Sequence, residues 1–407
     1  MDAIINIALA VAVLVLSIIL IRKKVNLGLI MLADSVIITV IARMTPGEAL
    51  RYAVKGVLSD STIKLVISLF LIMMLENVMR NTGMIKTMVD NLKELTGSNR
   101  LAAALLPAAL GTLPSTGGAR FSCPMVDEIT QDNTDPLNKT FVNYWFRHLW
   151  MDGFILYPAA ILAAELMQVS VITFFMHLLP VILFNAVLGT VFGLFRIKKE
   201  VIEKKKLEMQ SIKGLFMAML PVVSLIALYI LLHSVTPYSL EIASVAVVAT
   251  LLIVKKYSVK MVLETARDAF PVKFVIIIVG VMVFKEILVG SGAISSLSGL
   301  MKAYGIPVFI LFVLLPFTGG ITSGLTVSCV SLAYPVLIPL GMDGNLWAAA
   351  LVFAIGNAGV MITPLHLCVV MSADYFNVPL TSVVRKVAMA EIPVFVLSVV
   401  LLAMMVV

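Results

Sequence analysis

Two segments of this chain, 202 residues apart, carry almost the same six residues inside hydrophobic surroundings. Residues 113–118 read LPSTGG and residues 315–320 read LPFTGG. Residues 75–85 match residues 284–294 in the same way, at an offset of 209. Landmarks that recur in one order at a nearly constant offset predict an internal duplication of about half the chain.

The composition indicates that this duplicated chain lies in a membrane. Of its 407 residues, 61% are hydrophobic and 13% are charged, and the mean hydropathy is +1.07. A water-soluble globule could not hide so much apolar surface, so the sequence predicts an all-α polytopic membrane protein. The net charge of +7 comes from basic residues gathered in short loops. That pattern indicates membrane topology rather than a nucleic-acid partner.

Apolar segments of crossing length predict about ten transmembrane helices. The two motif regions, near 99–128 and 304–340, are also apolar but are split at the Pro/Thr/Gly-Gly tip, and each predicts a re-entrant hairpin. The predicted crossings lie near residues 3–21, 26–43, 62–80, 141–165, 170–195, 214–233, 238–254, 271–290, 346–371 and 380–407.

The basic loops determine the predicted orientation. Most Lys and Arg residues fall on one side of this topology, so the positive-inside rule places those loops in the cytoplasm and both termini outside. Five crossings and one hairpin in each half make the second copy upside down relative to the first. The predicted units are a first inverted repeat at 1–197, a basic cytoplasmic linker at 198–213 and a second inverted repeat at 214–407.

Each hairpin tip is a predicted binding site, because a duplicated break in apolar segments is the sequence signature of a transporter's substrate site. The returning half-helix starts with unpaired N–H groups and a positive dipole end, which suit a carboxylate or another small anion. Glycines let a substrate approach the backbone, and hydroxyls offer donors or cation ligands. Alternatively, these small residues serve only close helix packing. The residues are Ser115, Thr116, Gly117 and Gly118 in the first tip and Thr318, Gly319, Gly320, Thr322 and Ser323 in the second.

Arg120 follows the first tip by two residues and should lie well below the membrane surface. A buried guanidinium needs a partner, and a substrate carboxylate would be one. A structural ion pair with Asp127, Glu128 or Asp152 is an equal alternative. The second copy has Thr322 at the equivalent place, so a site that uses Arg120 is asymmetric.

A third landmark, residues 153–158 and 359–364 at an offset of 206, predicts a broken helix in each half. Pro158 and Pro364 remove an N–H and free carbonyls that can hold a cation. Ionisable groups inside membrane spans are costly and point to function. Asp152 is the leading candidate for a Na⁺ ligand or proton carrier, against a salt bridge to Arg147 or Arg120. His148 and His366 are candidates for titration, against a simple hydrogen bond to a neighbour.

The three cysteines, Cys123, Cys329 and Cys368, show neither a CxxC pair nor His/Cys metal spacing, and are expected to be small packing residues. No metal site is predicted beyond one for Na⁺, and no cofactor. Nucleotide-binding and hydrolase motifs are absent from the sequence. The chain is therefore not expected to be an enzyme.

Taken together, the motifs resemble those of the ion transporter superfamily, which includes divalent anion:sodium symporters, citrate and gluconate permeases, lactate permeases and some sodium/proton antiporters. Its members are similar in having two inverted repeats, each with a re-entrant hairpin followed by a broken helix. Residues 113–124, LPSTGGARFSCP, look like those of an uncharacterised ten-span prokaryotic membrane family, and the likeness covers essentially the whole chain.

The resemblance implies an elevator-type transporter in the cytoplasmic membrane of a prokaryote. In such a protein, a domain with the hairpins and broken helices slides against a scaffold of the remaining spans, often in a homodimer. By position, the two tips inherit the substrate-binding role. Asn357 and Thr363 inherit a role in the second broken helix.

The sequence therefore predicts a secondary active transporter for a small organic anion, coupled to Na⁺ or H⁺ by alternating access. The alternative is a cation/proton antiporter without an organic substrate, with Asp152 and Asp374 exchanging ions. An intramembrane enzyme or a sensor is a weaker third reading, since the chain has no cofactor or nucleophile motif.

Overall fold

The computed structural model describes residues 16–96, 98–112, 119–130, 134–198 and 209–406. Regular structure within these residues is helical, with no strand. The helices of the first half are α1 (16–22), α2 (Leu27–Ile41), α3 (Pro46–Leu58), α4 (Asp60–Asn81), α5 (Met84–Leu95), α6 (Asn99–Gly111), α7 (Ala119–Thr130), α8 (Pro136–His148), α9 (Pro158–Leu166) and α10 (Val171–Phe192).

Ten further helices make up the second half of the described chain. Two short turns of other types also occur: a 3-10 turn at Leu149–Asp152 follows α8 in the first half, and a π turn at Ile338–Met342 follows α17 in the second. The helices are α11 (Met209–Leu232), α12 (Ser239–Val254), α13 (Val259–Ala269), α14 (Val272–Gly290), α15 (Ala293–Ala303), α16 (Phe309–Ser323), α17 (Thr326–Leu337), α18 (Leu346–Ile362), α19 (Leu367–Tyr375) and α20 (Leu380–Val406).

Five helical stretches in the described part of the chain are long and apolar enough to cross a membrane. They are Pro46–Asn81, Val171–Arg196, Met209–Leu232, Leu346–Tyr375 and Leu380–Val406. Other predicted crossings fall on shorter helices, among them the apolar α2 and α12. The fold is therefore that of an all-helical membrane protein, as the composition predicted.

One of the five stretches lies in the interior. The apolar window of Leu346–Tyr375 is 83% buried, whereas those of the other four are 28–33% buried. A helix that is apolar on all sides and buried on all sides belongs to the centre of a bundle. The stretches with exposed apolar faces are those that can contact lipid.

Helix starts follow from local capping chemistry. Thr45 caps α3 in a reciprocal pair with Glu48, and Ser59, Ser170 and Ser258 accept hydrogen bonds from the first turns of α4, α10 and α13. Short hydroxyl side chains satisfy N–H groups that have no partner within the helix. Each cap marks the residue at which a new helix begins.

Helices α16 and α17 form a helical hairpin in the second motif region, and the chain turns four residues beyond Gly320. Helix α16 continues through the Pro316–Gly320 motif to Ser323, and the chain turns at Gly324 with a φ of 68°. Glycine adopts a positive φ without the steric cost that a Cβ would bring, so it suits this turn. Pro316 does not end the helix, so the expectation that the motif itself breaks the chain is wrong for the second copy. The tip of the first hairpin lies outside the described residues.

Two apolar cores hold the helices together. One is formed mainly by α2, α4, α9, α12, α14, α17 and α18, and the other mainly by α5, α6, α8, α19 and α20. The second core surrounds the ends of α8 and α18. Several buried polar side chains, among them Arg147, His148 and Asn357, lie near these ends.

Helices α2 and α14 approach most closely where two glycines face each other. A Cβ on Gly28 would lie 1.9 Å from the Ile276 carbonyl oxygen, and one on Gly280 would lie 2.2 Å from the Gly28 carbonyl oxygen. Contacts this short leave no room for a methyl group. Small residues allow backbones in membrane proteins to pack at this distance.

Replacing Gly28 by Ala should therefore destabilise the protein. Overpacking at a fixed backbone contact costs about 1–3 kcal/mol, so thermal unfolding of the detergent-purified protein should occur at a clearly lower temperature. The matched control is Gly47→Ala in α3, where a Cβ meets nothing within 4 Å. Equal unfolding temperatures for the two variants would contradict the α2–α14 contact.

Candidate functional site

Three interrupted elements meet in the interior. Helix α8 ends at His148, α18 and α19 are separated by residues 363–366, and α16 and α17 are separated by Gly324 and Leu325. The Nδ1 atom of His366 lies 2.7 Å from the Gly324 carbonyl oxygen, and the Thr363 hydroxyl donates to the Ile321 carbonyl at 2.7 Å. The break between α18 and α19 is thus bound directly to the second hairpin.

His148 joins this contact from the first half of the chain. Its Nδ1 atom lies 2.6 Å from the Tyr144 carbonyl oxygen, and its Nε2 atom lies 2.9 Å from Nε2 of His366. Both rings are buried. The Tyr144 ring packs against both histidines, with ring centroids 4.5 and 5.7 Å away. The structure therefore brings together two histidines that the sequence separates by 218 residues.

Cys368 is the third member of this group. The Cys368 sulfur and one ring nitrogen of each histidine all lie within 4.8 Å of one another. All three side chains are buried. Sequence spacing gave no metal pattern and assigned Cys368 to packing. The fold supplies a set of donors that the spacing alone does not show.

The predicted hydroxyls of the second tip form local hydrogen bonds. Thr318 donates to the Leu314 carbonyl at 2.6 Å, Thr322 to the Thr318 carbonyl and Ser323 to the Gly319 carbonyl at 2.6 Å. Each hydroxyl returns to the preceding turn of its own helix, as Ser and Thr often do within helices. These three residues are not grouped around a common point.

The predicted glycines of the second motif have a packing role. A Cβ on Gly320 would lie 2.2 Å from the Gly356 carbonyl oxygen, and one on Gly319 would lie 3.1 Å from Cys329. Gly319 and Gly320 thus let α16 approach α17 and α18. The packing alternative accounts for both glycines in this structure.

Asn357 and Thr363 join the broken helix to the hairpin. The Thr326 hydroxyl donates to Asn357 Oδ1 at 3.0 Å, inside the protein. Thr326 is the first residue of α17, and Asn357 lies one turn before the end of α18. Together with the Thr363 bond, this contact fixes the hairpin against the break.

The first tip and two charged candidates are not part of this geometry. Ser115, Thr116, Gly117 and Gly118 lie outside the described residues. Arg120 is in the first turn of α7 and Asp152 ends the 3-10 turn after α8, but their side chains lie outside the described part of the structure. The predicted roles of these six residues remain predictions.

Cationic side chains are buried at both ends of α8. Arg147 precedes His148 on α8 and is 2% exposed. Lys386, on α20, is buried and donates to Asn138 Oδ1 at 2.6 Å, and Lys139 pairs with Asp127 at 2.6 Å. Glu391 is a buried carboxylate on α20. Charges inside a membrane protein are costly and therefore mark functional regions.

A second polar contact lies one turn before Arg147 on α8. Asn143 donates through Nδ2 to Ser372 Oγ at 2.9 Å and to Cys123 Sγ at 3.1 Å. It thereby connects α8 with α7 and α19. Its Oδ1 atom is buried without a hydrogen-bond partner among the described residues. An amide oxygen in that position is a ligand suited to a water molecule or a small cation.

A small cavity elsewhere in the molecule is apolar. It lies between α4, α9, α14 and α17 and is lined by apolar residues, among them Leu69, Pro158 and Val327. A lining without polar groups cannot compensate the free energy that a charged ligand loses when it leaves water. The polar interior around His148 and His366 is therefore the candidate site.

The fold and this site define an all-helical membrane protein in which interrupted helices and a hairpin turn surround buried polar side chains. The chain belongs to the family described as "Protein of unknown function (DUF401)", which matches residues 4–407. This match confirms the expected likeness to an uncharacterised family over essentially the whole chain. No curated protein matches the chain.

Gly324 offers a direct test of the contact between hairpin and break. Gly324→Ala should lower the unfolding temperature for two reasons: its φ is 68°, and a Cβ would lie 2.9 Å from the His366 backbone nitrogen. Gly292→Ala is the matched control, because Gly292 has a φ of 67° but no atom within 4 Å of a Cβ.

Both variants carry the strain of a positive φ, about 1–2 kcal/mol. Gly324→Ala should lose more stability than Gly292→Ala, by about 1 kcal/mol or more from overpacking. This difference measures the contact with His366. Thermal unfolding in detergent measures it. Indistinguishable unfolding temperatures would refute a tight contact there.

Proposed function

We propose that this protein is a secondary active transporter for a small organic anion, such as a carboxylate, coupled to Na⁺ or H⁺ by alternating access. The observation that carries the proposal is the convergence of two half-helix N-termini. Gly324 and Leu325 precede α17, His366 precedes α19, and Gly324 lies against the His366 backbone. Neither helix has a side-chain hydrogen bond at its N-cap. Two positive dipole ends that lie side by side suit an anionic group.

The order of the helices supports the proposed repeats. From α4 to α10 the chain has a 22-residue helix, a left-handed glycine, four helices of 12 or 13 residues, a break, a 9-residue helix and a 22-residue helix. From α14 to α20 the corresponding helices have 19, 11, 15, 12, 17, 9 and 27 residues. The glycines, Gly83 and Gly292, occupy the same place in the two series.

The packing of the helices agrees with the same pairing. Helix α6 packs on α7 and α8, and α16 packs on α17 and α18. Across the halves, α9 packs on α17 and α19 packs on α7. Such reciprocal contacts are expected of two repeats related by a pseudo-twofold axis. They favour membership in the ion transporter superfamily.

A division into scaffold and moving domain follows from these contacts. Helices α2 and α3 pack on α14, and α12 and α13 pack on α4. We assign these six helices to the scaffold and the hairpins with the broken helices to a domain that slides against it, as in an elevator. The scaffold is also the part that would form a homodimer within the lipid bilayer.

The charge at the end of α8 favours an anion as the substrate. Arg147 is buried next to His148, the last residue of α8. A guanidinium recognises a carboxylate through two parallel hydrogen bonds. Arg120 and the residues of the first tip, from Ser115 to Gly118, would complete the site from the other hairpin.

Candidates for the coupling ion lie on α8, in the turn that follows it and just before α19. Asn143 Oδ1 and the carbonyls freed at the break after His148 can hold Na⁺, as can the Asp152 carboxylate. For H⁺ coupling, Asp152, His148 and His366 are the titratable groups.

Cation/proton exchange without an organic substrate is the second candidate, and the histidine pair favours it. Two Nε2 atoms 2.9 Å apart can share one proton. Loss and gain of that proton would alternate with a cation. This reading needs no anion site at the two helix N-termini.

Ligand binding to the purified full-length protein tests the two readings. A ligand that prefers the folded state stabilises it, by about 2.7 kcal/mol at a hundredfold excess over Kd. We expect a mono- or dicarboxylate to raise the unfolding temperature, and the rise to grow with Na⁺ or at lower pH. A response to cations and pH alone would transfer the assignment to cation/proton exchange, and no response to either would contradict both.

A variant at the N-cap of α17 locates the anion. Leu325→Asp supplies the missing cap, which stabilises a helix by about 0.5–2 kcal/mol, and places a negative charge where the substrate should bind. The protein should fold as well as the wild type but lose its response to the carboxylate. Leu325→Asn, which caps without charge, should retain more of that response, and equal responses in the two variants would argue against an anion at this position.

A further inference from the structure

The hydrogen bonds of the two buried histidines determine which ring nitrogen carries the proton in each neutral ring. His148 Nδ1 lies 2.6 Å from the Tyr144 carbonyl oxygen, and His366 Nδ1 lies 2.7 Å from the Gly324 carbonyl oxygen. A carbonyl oxygen only accepts hydrogen bonds, so each Nδ1 must donate one. Both Nε2 atoms therefore carry lone pairs.

These two lone pairs point at each other. The Nε2 atoms are 2.9 Å apart, within the buried interior. Two acceptors at that distance repel unless a positive charge lies between them. Either an additional proton or a metal ion would satisfy the pair.

A third donor distinguishes the two possibilities. The Cys368 sulfur lies within 4.8 Å of one ring nitrogen of each histidine. A shared proton requires only the two nitrogens, whereas a metal ion requires three or four ligands that converge on one point. Sulfur and imidazole nitrogen are ligands of Zn²⁺ and related soft cations, whereas Na⁺, Mg²⁺ and Ca²⁺ prefer oxygen.

We infer that His148, His366 and Cys368 form a buried binding site for Zn²⁺. The two Nε2 atoms and the Cys368 sulfur are the ligands, and the thiol proton is released to solvent when the metal–sulfur bond forms. Three protein ligands leave one coordination position of a tetrahedral ion for water or an anion. This assignment does not depend on whether the protein transports an anion.

The surroundings of the rings fit a metal site. Histidine ligands usually donate their other N–H to a carbonyl or carboxylate, which fixes the ring, and both rings do so here. The Tyr144 ring packs on both imidazoles. With Zn–N bonds of about 2.0 Å and a Zn–S bond of about 2.3 Å, tetrahedral geometry needs an N···N distance of about 3.3 Å and an N···S distance of about 3.5 Å. The nitrogens would separate by about 0.4 Å and the sulfur would approach by up to about 1.3 Å.

Binding of Zn²⁺ would tie the two halves of the chain together. His148 ends α8 in the first half, whereas His366 and Cys368 lie at the start of α19 in the second. The ion would hold the end of one broken helix against the start of the other. It would stabilise the domain that contains both hairpins.

Metal binding to the full-length protein tests the inference directly. The protein is purified without a polyhistidine tag, treated with a chelator and titrated with Zn²⁺ or with Co²⁺, whose absorption spectrum reports thiolate ligation. We expect one ion per chain, a thiolate-to-cobalt charge-transfer band, and a higher unfolding temperature with Zn²⁺. Cys368→Ser should lose the charge-transfer band, and His148→Gln and His366→Gln should weaken binding at least tenfold.

Two variants control for loss of folding and for binding elsewhere. Cys329→Ser changes another buried cysteine, and His177→Gln changes a histidine whose Nδ1 also faces the carbonyl of the residue four positions earlier, at 2.8 Å. Both should bind the metal like the wild type. Absence of metal binding by the wild type, or equal binding by Cys368→Ser and Cys329→Ser, would overturn the site and leave the shared proton as the explanation.

Discussion

A backbone that is interrupted inside an apolar interior must find new partners for its N–H and C=O groups. In this protein the turn of the second hairpin and the break between α18 and α19 provide partners for each other. The His366 ring donates a hydrogen bond to the Gly324 carbonyl, and the Thr363 hydroxyl donates one to the Ile321 carbonyl. Two further polar contacts of the interior meet this junction. His148 reaches His366 from α8, and Asn357 holds the first residue of α17.

Much of the architecture could be predicted from the sequence, because it depends on local chemistry. Apolar composition predicted a helical membrane protein, and Pro158 and Pro364 predicted breaks that the structure shows immediately before α9 and between α18 and α19. Proline acts on its own turn of helix. Prediction therefore needed only the residues close to each break.

The position of the second tip and the composition of the site could not be predicted in this way. The sequence placed the tip at Thr318–Gly320, but α16 continues past these residues because Gly319 and Gly320 are used to approach α17 and α18. Gly324, which does turn the chain, follows Ser323, and this Ser–Gly pair is a turn signal that the comparison of the two copies passed over. The contact between His148 and His366 depends on packing across the two halves. Local periodicity carries no information on such a contact.

The group of His148, His366 and Cys368 also bears on how such a protein arose. Under the proposed duplication, with its offset of 206 at the broken helices, the matching positions are Ala354 for His148, Ala160 for His366 and Leu162 for Cys368. No member of the group has a polar counterpart in the other repeat. Two identical copies would carry this group twice or not at all. Its presence on one side of the proposed pseudo-twofold axis means that the two copies differ in chemistry while they keep the same order of helices.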